Sequence, residues 1–166
     1  MKYPIAAACL VALSASEIIT FIDPDSRWET DGSDQIFEDG VVKFRNVLSS
    51  VTKTIDIPDG DFNSWDKYHF FHFEVDVASK EGTDANDYYY ISVVGNNSSN
   101  CSFSAEGFTE TDTQHVHLYF KDLMMGCWNS GTIKTIQVTL AGMSDEVDGN
   151  WLGPEFTNFR GYMSDS

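Results

Sequence analysis

The sequence is poor in positive charge and contains none of the common catalytic motifs. Its 10 lysines and arginines stand against 26 aspartates and glutamates, for a formal net charge of −16. Nucleic-acid phosphates and anionic lipids repel such a chain, so neither is expected as a partner. A Gly-x-Ser-x-Gly elbow, a His-Glu-x-x-His motif, a phosphate-binding glycine loop and a Cys/His nucleophile pair are all missing from the sequence. We therefore expect a non-enzyme.

The N-terminal apolar run, Ile5 to Leu13, is too short to cross a bilayer of about 30 Å as a helix. Lys2 precedes this run and Ser14-Ala15-Ser16 follows it, which is the pattern of a secretory signal peptide. We expect cleavage after Ser16, no membrane insertion, and a secreted, extracellular product. Residues 17–166 then form one domain, since this length is typical of a single domain.

Cysteine is scarce, with three in the chain, and removal of the signal would take Cys9 away. In an oxidising compartment Cys101 and Cys127 are expected to form a disulfide, which would stabilise the fold by roughly 3–4 kcal/mol. Two free buried thiols are the alternative. The same region carries overlapping N-glycosylation sequons at Asn96, Asn97 and Asn100, a second sign of secretion.

Long helical periodicity and internal repeats are also absent, and turn-rich clusters recur at short intervals instead. Between the clusters lie strand-like runs, predicted at 18–22, 35–37, 41–45, 52–57, 68–77, 88–94, 115–120, 132–141 and 155–162. Many short strands at this spacing are typical of an antiparallel β-sandwich or barrel. The fold class predicted is all-β, an antiparallel β-sandwich of the jelly-roll type with little helix.

Alternation within the strands predicts which side chains face the core. In the run from Tyr68 to Val77, one face carries His69, Phe71, Phe73, Val75 and Val77 and looks apolar, whereas His72, Glu74 and Asp76 share the other. We expect the run 88–94, with its three tyrosines, to lie beside this strand. The resulting surface would offer aromatic rings to a sugar.

The C-terminal segment carries a more specific pattern. Ile136, Val138 and Leu140 alternate with polar residues, an acidic loop follows, and Trp151-Leu152-Gly153-Pro154-Glu155-Phe156-Thr157-Asn158 closes the chain. This closing motif resembles that of the F-box-associated sugar-binding domains, a branch of the galactose-binding-like jelly rolls. The resemblance implies the jelly-roll fold. The sugar-gripping residues of that family are absent here, since Val147, Asp148 and Gly149 occupy their positions, so its N-glycan specificity is not implied.

Aromatic residues near turns are the strongest indication of a ligand. Sugars stack their apolar C–H faces on Trp and Tyr rings, and Asp and Asn side chains bind their hydroxyls. The ligand-binding residues predicted on this basis are Trp65, Trp128, Trp151, Tyr88, Tyr90, Asp148 and Asn150. Two or more of the four tryptophans, which include Trp28, are expected to pack in the core instead.

Acidic loops suggest a structural calcium ion, which prefers six to eight oxygen ligands. The ligands predicted are Asp23, Asp25, Asp145 and Asp148, although none of these clusters has EF-hand spacing. His115-Val116-His117 places two imidazoles on one strand face, as cupin metal sites do, but the rest of that pattern is missing. The pair is better interpreted as an exposed strand face shared with Tyr119, with Val116, Leu118 and Phe120 facing inward.

The sequence thus favours a secreted, non-catalytic, lectin-like jelly-roll module whose partner is a glycan or polysaccharide. A structural glycoprotein that assembles with copies of itself in an extracellular fibre or matrix is the alternative, favoured if the apolar N-terminal segment is retained. A polysaccharide-cleaving enzyme ranks third. Its acid and base would be Glu74 and Asp76, which share one strand face.

Overall fold

A computed structural model describes residues 19–24, 26–28, 30, 35–44, 48–57, 71–79, 87–96, 101–110, 112–119, 134–143 and 152–164. Every regular element in these residues is a β-strand, and they contain no helix long and apolar enough to cross a membrane. The strands are β1 (Ile19–Ile22), β2 (Gln35–Glu38), β3 (Val41–Phe44), β4 (Leu48–Asp56), β5 (Phe71–Ala78), β6 (Tyr88–Gly95), β7 (Ser102–Phe108), β8 (Gln114–Tyr119), β9 (Thr135–Met143) and β10 (Leu152–Met163).

The strands form two antiparallel sheets. The six-stranded sheet has the order β2-β3-β10-β5-β8, with β1 also paired to β10, and the four-stranded sheet has the order β4-β9-β6-β7. Most neighbours in each sheet are not consecutive in the chain, and six of the nine connections between the described strands pass from one sheet to the other. This arrangement is a β-sandwich of the jelly-roll type, which confirms the predicted fold class.

Alternating side chains from both sheets fill the core between them. Phe71, Phe73, Val75 and Val77 on β5 are fully buried, as their period-2 pattern predicted. The four-stranded sheet supplies the facing layer, which consists of Val51, Ile55, Ile91, Val93, Ile136, Val138 and Leu140. Outward-facing residues on the same strands are mostly polar or aromatic, and they include the predicted ligand residues Tyr88 and Tyr90.

A β-bulge in β10 places Phe156 and Phe159 on the same side of the strand. Strict alternation would put residues three apart on opposite faces, yet both rings are fully buried. The register against β5 shifts between Thr157 and Arg160, and Asn158 takes a φ of 51°. Asn tolerates this left-handed conformation better than most residues. The extra residue therefore returns Phe159 to the core.

Trp28 is a core residue, in line with the expectation for part of the tryptophans. It is 1% exposed, and its ring meets Phe159 edge-on with centroids 5.3 Å apart. The Lys53 ammonium lies 5.9 Å from the ring centroid and donates to the Arg27 carbonyl at 2.8 Å. Trp28 thus closes one end of the sandwich. Trp65, Trp128 and Trp151 lie outside the described residues.

The predicted adjacency of the β5 and β6 strands is wrong. β5 pairs with β10 and β8, and β6 pairs with β9 and β7 in the other sheet. Their apolar faces meet across the core, because each strand has one side to bury against a second layer. Buried Thr109, which follows β7, links the end of β5 to the start of β6. Its hydroxyl lies 2.7 Å from that of Ser79 and accepts from the Asp87 amide at 3.0 Å.

β7 is a strand that the sequence did not predict. Its inward positions are Phe103, Ala105 and Gly107, of which only the first is large, so the apolar signal is weak. A Cβ atom at Gly107 would lie 2.9 Å from the Tyr89 hydroxyl. The Tyr89 side chain therefore fills the space beside this glycine, and the absence of a side chain at position 107 hides the alternation that marks a strand.

We predict that Asn158→Ala lowers the free energy of unfolding more than Asn158→Gly does. Both variants lose the side-chain hydrogen bond to Asp76, but only alanine keeps the cost of a positive φ, which is about 1 kcal/mol. Urea unfolding of the two variants checks the difference. Equal stability of the two would show that the bulge does not constrain the backbone.

Candidate functional site

The outer face of the four-stranded sheet has a floor of small hydroxyl side chains. Thr52, Thr139, Ser92 and Ser104 stand opposite one another in a row across all four strands. The hydroxyls of Thr52 and Thr139 are 3.0 Å apart. Neighbouring strands lie about 4.8 Å apart, so such a row presents hydrogen-bonding groups at regular intervals. A long ligand can lie against this floor without meeting a large side chain in that row.

Aromatic rings stand at one end of this floor. Tyr88 and Tyr90 come from β6 and Phe108 comes from β7, where it is the register partner of Tyr88. The Tyr88 and Phe108 rings meet at 65° with centroids 5.6 Å apart. Phe108 is 58% exposed, and it is the one large apolar side chain left exposed in the described part of the chain. Together with the neighbouring Tyr88 ring, it forms an aromatic surface on which the C–H face of a ligand can pack.

Glu106 fixes the polar edge of this cluster. The Tyr88 hydroxyl donates to its Oε2 at 2.5 Å, and Glu106 is the register partner of Tyr90. This hydrogen bond, followed by desolvation and the charge of the carboxylate, raises the pKa of Tyr88 above its usual value of 10. The tyrosine ring therefore stays neutral at physiological pH. The remaining lone pairs of the carboxylate are acceptors for a ligand hydroxyl.

Two residues of this cluster, Glu106 and Phe108, were missed by the sequence analysis because β7 was missed. Tyr88 and Tyr90 were predicted, and the structure brings both to the same surface as Glu106 and Phe108. The available signal was the outward set Ser102, Ser104, Glu106 and Phe108, which alternates with Phe103 and Ala105.

The outer face of the six-stranded sheet is also aromatic, but its rings are stacked on one another. Tyr162, His72 and Tyr119 are register partners on β10, β5 and β8. The His72 ring lies parallel to Tyr119 at 4.1 Å and to Tyr162 at 4.8 Å. The Arg160 guanidinium lies 5.0 Å from the Tyr162 ring centroid. Both His72 and Arg160 therefore contact the Tyr162 ring and compete with a sugar for its faces.

The two carboxylates beside this stack are engaged within the protein. Glu74 accepts the Tyr162 hydroxyl at 3.0 Å, while Asp76 accepts the Asn158 amide at 2.9 Å and lies 2.8 Å from His115 Nδ1. Burial raises the pKa of Tyr162 above 10, and the hydrogen bond to Glu74 acts in the same direction.

Asp76 is poorly suited to act as a general acid. Burial acts to raise its pKa, but the hydrogen bonds from Asn158 and His115 and the charge of His115 outweigh burial and lower it below 3.8. A glycosidase acid needs the opposite shift, because it must hold a proton near neutral pH. The surroundings of Asp76 therefore do not support the hypothesis that Glu74 and Asp76 act as the acid and base of a glycosidase.

The two histidines of β8 bind protein groups on β5. His115 contacts Asp76, and His117 Nε2 lies 3.0 Å from His72 Nδ1. Leu118 is buried and Val116 packs against the core, as predicted, whereas Phe120 lies outside the described residues. Among the residues that the structure describes, no group of three or more His, Cys, Asp or Glu side chains is arranged to hold a metal ion.

The other predicted site residues are placed only in part. Asp23 follows β1 in an exposed turn, where its Oδ1 accepts from the Ser26 hydroxyl at 3.2 Å. Asn96 has a φ of 50°, and its Oδ1 accepts from the Lys134 amide at 2.7 Å. Cys101 is fully buried and disulfide-bonded. Its predicted partner lies outside the described residues, as do further predicted ligands and sequons: Cys127, Asp25, Asp145, Asp148, Asn150, Asn97 and Asn100.

Comparison with solved structures finds similar folds at low sequence identity. The xylan-binding module CBM15 is 11% identical with a TM-score of 0.56, and the match covers 92% of this chain and 99% of that one. A family 30 carbohydrate-binding module from a Clostridium thermocellum cellulosomal cellulase is 11% identical, with coverages of 90% and 99% and a TM-score of 0.45. A family 11 module from a cellulosomal cellulase of the same organism is 12% identical, with coverages of 90% and 95% and a TM-score of 0.43.

The first of these likenesses establishes the jelly-roll fold, and the two lower scores add nothing to it. No protein-family model matches the chain. No curated protein matches it either. The resemblance of the closing motif to the F-box-associated domains therefore stays a prediction.

We predict that Asp76→Asn destabilises the fold at neutral pH and that the loss disappears in acid. The folded-state pKa of Asp76 is lowered, so its carboxylate stabilises the fold above the unfolded pKa of about 3.9, and this contribution is lost as pH falls through the folded value. The expected loss at pH 7 is about 1–2 kcal/mol. Urea unfolding at several pH values checks it. A gap as large at pH 3 as at pH 7 would contradict this.

Proposed function

We propose that this protein is a non-catalytic carbohydrate-binding module that holds its ligand on the outer face of the four-stranded sheet. The observation that carries the proposal is the exposed Phe108 ring beside Tyr88, Tyr90 and Glu106. A fold shared with a xylan-binding module supports it, because that fold supports carbohydrate binding elsewhere.

The chemistry of this face matches the two demands of a sugar. A sugar ring has an apolar C–H surface, which packs on an aromatic face, and it carries hydroxyls that need hydrogen-bonding partners. Phe108 supplies an exposed apolar ring, while Glu106 and the hydroxyls of Ser104 and Thr139 supply the polar partners along the floor. A chain of several sugars can then run from the rings across the strands.

The ligand proposed is a neutral glycan. The chain carries a net charge of −16, and Glu106 places a carboxylate directly in the aromatic cluster. A uronate or sulfate group at this position would face like charge, which is unfavourable at short range. Neutral polysaccharides such as xylan avoid this repulsion.

The wider proposal is a secreted glycoprotein. The signal peptide at residues 1–16, the disulfide of Cys101 with Cys127, and glycosylation at Asn96, Asn97 or Asn100 belong to it. A structural calcium held by Asp23, Asp25, Asp145 and Asp148 is a further part of the proposal.

Asp23 is the member of this calcium set that the structure describes. It is exposed, and its carboxylate is hydrogen-bonded to Ser26. Metal analysis and N-terminal mass spectrometry of protein from its own source test these points. Self-assembly stays a prediction from the sequence.

Removing single rings from the aromatic cluster should weaken glycan binding. For Phe108→Ala, Tyr88→Ala and Tyr90→Ala we expect about ten-fold lower affinity each, as a stacking contact is worth about 1.5 kcal/mol. Calorimetry with the best glycan from an array measures this. His115→Ala, an exposed change on the opposite sheet, is the control and should bind normally. Unchanged affinity in all three variants would exclude this face as the site.

A charge comparison tests the ligand class separately. We expect affinity electrophoresis to detect binding to neutral polysaccharides with little change between low and high salt. Polyuronates should not bind at low salt, because their repulsion from a chain of net charge −16 is screened least there. Binding to polyuronates that weakens as salt rises would instead assign the protein to acidic glycans.

A further inference from the structure

We propose that Ser164, His72 and His117 form an acid-sensitive latch, which holds the outer strand β8 to the end of β10 at neutral pH and releases it in acid. The Ser164 hydroxyl lies 2.9 Å from His72 Nε2, and His72 Nδ1 lies 3.0 Å from His117 Nε2. These contacts join β10, β5 and β8 across the outer face of the six-stranded sheet. The latch is independent of the proposed glycan site, which lies on the other sheet.

The contact between His72 Nδ1 and His117 Nε2 has the geometry of an N–H···N hydrogen bond, in which the two rings share a single proton. The ring planes differ by 20° and the centroids are 5.2 Å apart, so the two nitrogens meet nearly head on. Head-on nitrogens leave no room for a chelated metal ion between them, since metal ligands converge on the ion at an angle. One nitrogen donates and the other accepts, and neutral imidazoles provide both roles.

The number of protons bound by the His72–His117 pair determines whether the hydrogen bond between the two rings can form. A first added proton enters an outward nitrogen, such as His72 Nε2 facing Ser164, and the bridge between the rings is kept. A second proton has to enter the gap, where two N–H groups would then face each other across 3.0 Å. Two imidazolium charges at this distance repel strongly, so the doubly charged pair separates.

His117 is the ring that moves. His72 is 6% exposed and lies between the rings of Tyr119 and Tyr162, whereas the His117 side chain is 41% exposed on the last strand of the sheet. Glu74 Oε1 lies 3.9 Å from His117 Nε2 and offers the displaced imidazolium a carboxylate partner. His117 would then compete with the Tyr162 hydroxyl for that oxygen.

The other charged groups on this face do not replace the histidine pair in the proposed acid response. On β5 the facing groups are Glu74 and Asp76, and Asp76 is already paired with His115 of β8. On β10 the facing groups are Arg160, which lies against Tyr162, and Tyr162 itself, while β1 contributes uncharged Thr20 opposite Tyr162. Tyr119 on β8 and Tyr162 are uncharged in acid. Among the described residues, Arg160 adds positive charge on this face, which further opposes a second imidazolium.

Hydrogen exchange of the full chain tests the latch. Between pH 7 and about pH 4.5, the range in which imidazoles titrate, the amides of β8 should lose about ten-fold of their protection relative to β6, after correction for intrinsic exchange. His117→Gln keeps a polar side chain but cannot be protonated, so its β8 protection should not change with pH. His115→Gln is the matched control. It removes the contact with Asp76 and so lowers β8 protection at both pH values, but the further loss between pH 7 and pH 4.5 should remain.

Two outcomes would overturn the proposal: β8 of the wild type keeps its protection at pH 4.5, or His117→Gln loses as much protection as the wild type. If His117→Gln does not fold, nitrogen NMR of the wild-type histidines decides instead. The latch requires the proton between His72 Nδ1 and His117 Nε2 to be detected at pH 7 and to be lost at pH 4.5. A hydrogen bond between the two rings that persists at pH 4.5 would contradict it.

Discussion

Strand β10 pairs with β1, β3 and β5, and a single extra residue within it decides which of its side chains reach the core. Asn158 occupies that position with a left-handed backbone and a hydrogen bond to Asp76. Before the bulge Phe156 points inward, and after it Phe159 does so as well. The same shift turns Arg160 and Tyr162 outward, where they cover Glu74 and His72. Without this bulge, Phe159 would leave its contact with Trp28 and the outer stack would lose a ring.

Close approaches elsewhere depend on glycine in the same way. A Cβ atom on Gly142 would lie 2.5 Å from the Pro154 side chain, and one on Gly161 would lie 3.1 Å from Ile22. The first of these glycines lets β9 approach the start of β10, and the second lets β1 pack onto its end. At the start of β10 there is thus no room for a side chain on Gly142, and at its end a side chain on Gly161 would be tightly packed against Ile22.

Much of the fold could be predicted because a strand with one buried face alternates apolar and polar residues, and this pattern is visible in the sequence. The alternation in β5, β8 and β9 gave the correct inward side chains, and the predicted run 155–162 correctly marked the closing strand. The sequence could not show that β5 and β6 belong to different sheets, since strand pairing depends on contacts between distant residues. β7 was missed because Ala105 and Gly107 are too small to give an apolar signal. Glu106 and Phe108, which are half of the cluster formed with Tyr88 and Tyr90, were missed for the same reason.

The two outer faces show why aromatic content alone does not identify a binding surface. On the six-stranded sheet Tyr119, His72 and Tyr162 stand in parallel on neighbouring strands, so their ring faces contact one another. On the four-stranded sheet Tyr88 and Phe108 meet at 65°, and Phe108 stays largely exposed. Stacked rings bury their faces against partners within the protein, whereas tilted rings leave a face for a ligand. Ring orientation therefore separates a surface that stabilises the sandwich from one that can bind a sugar.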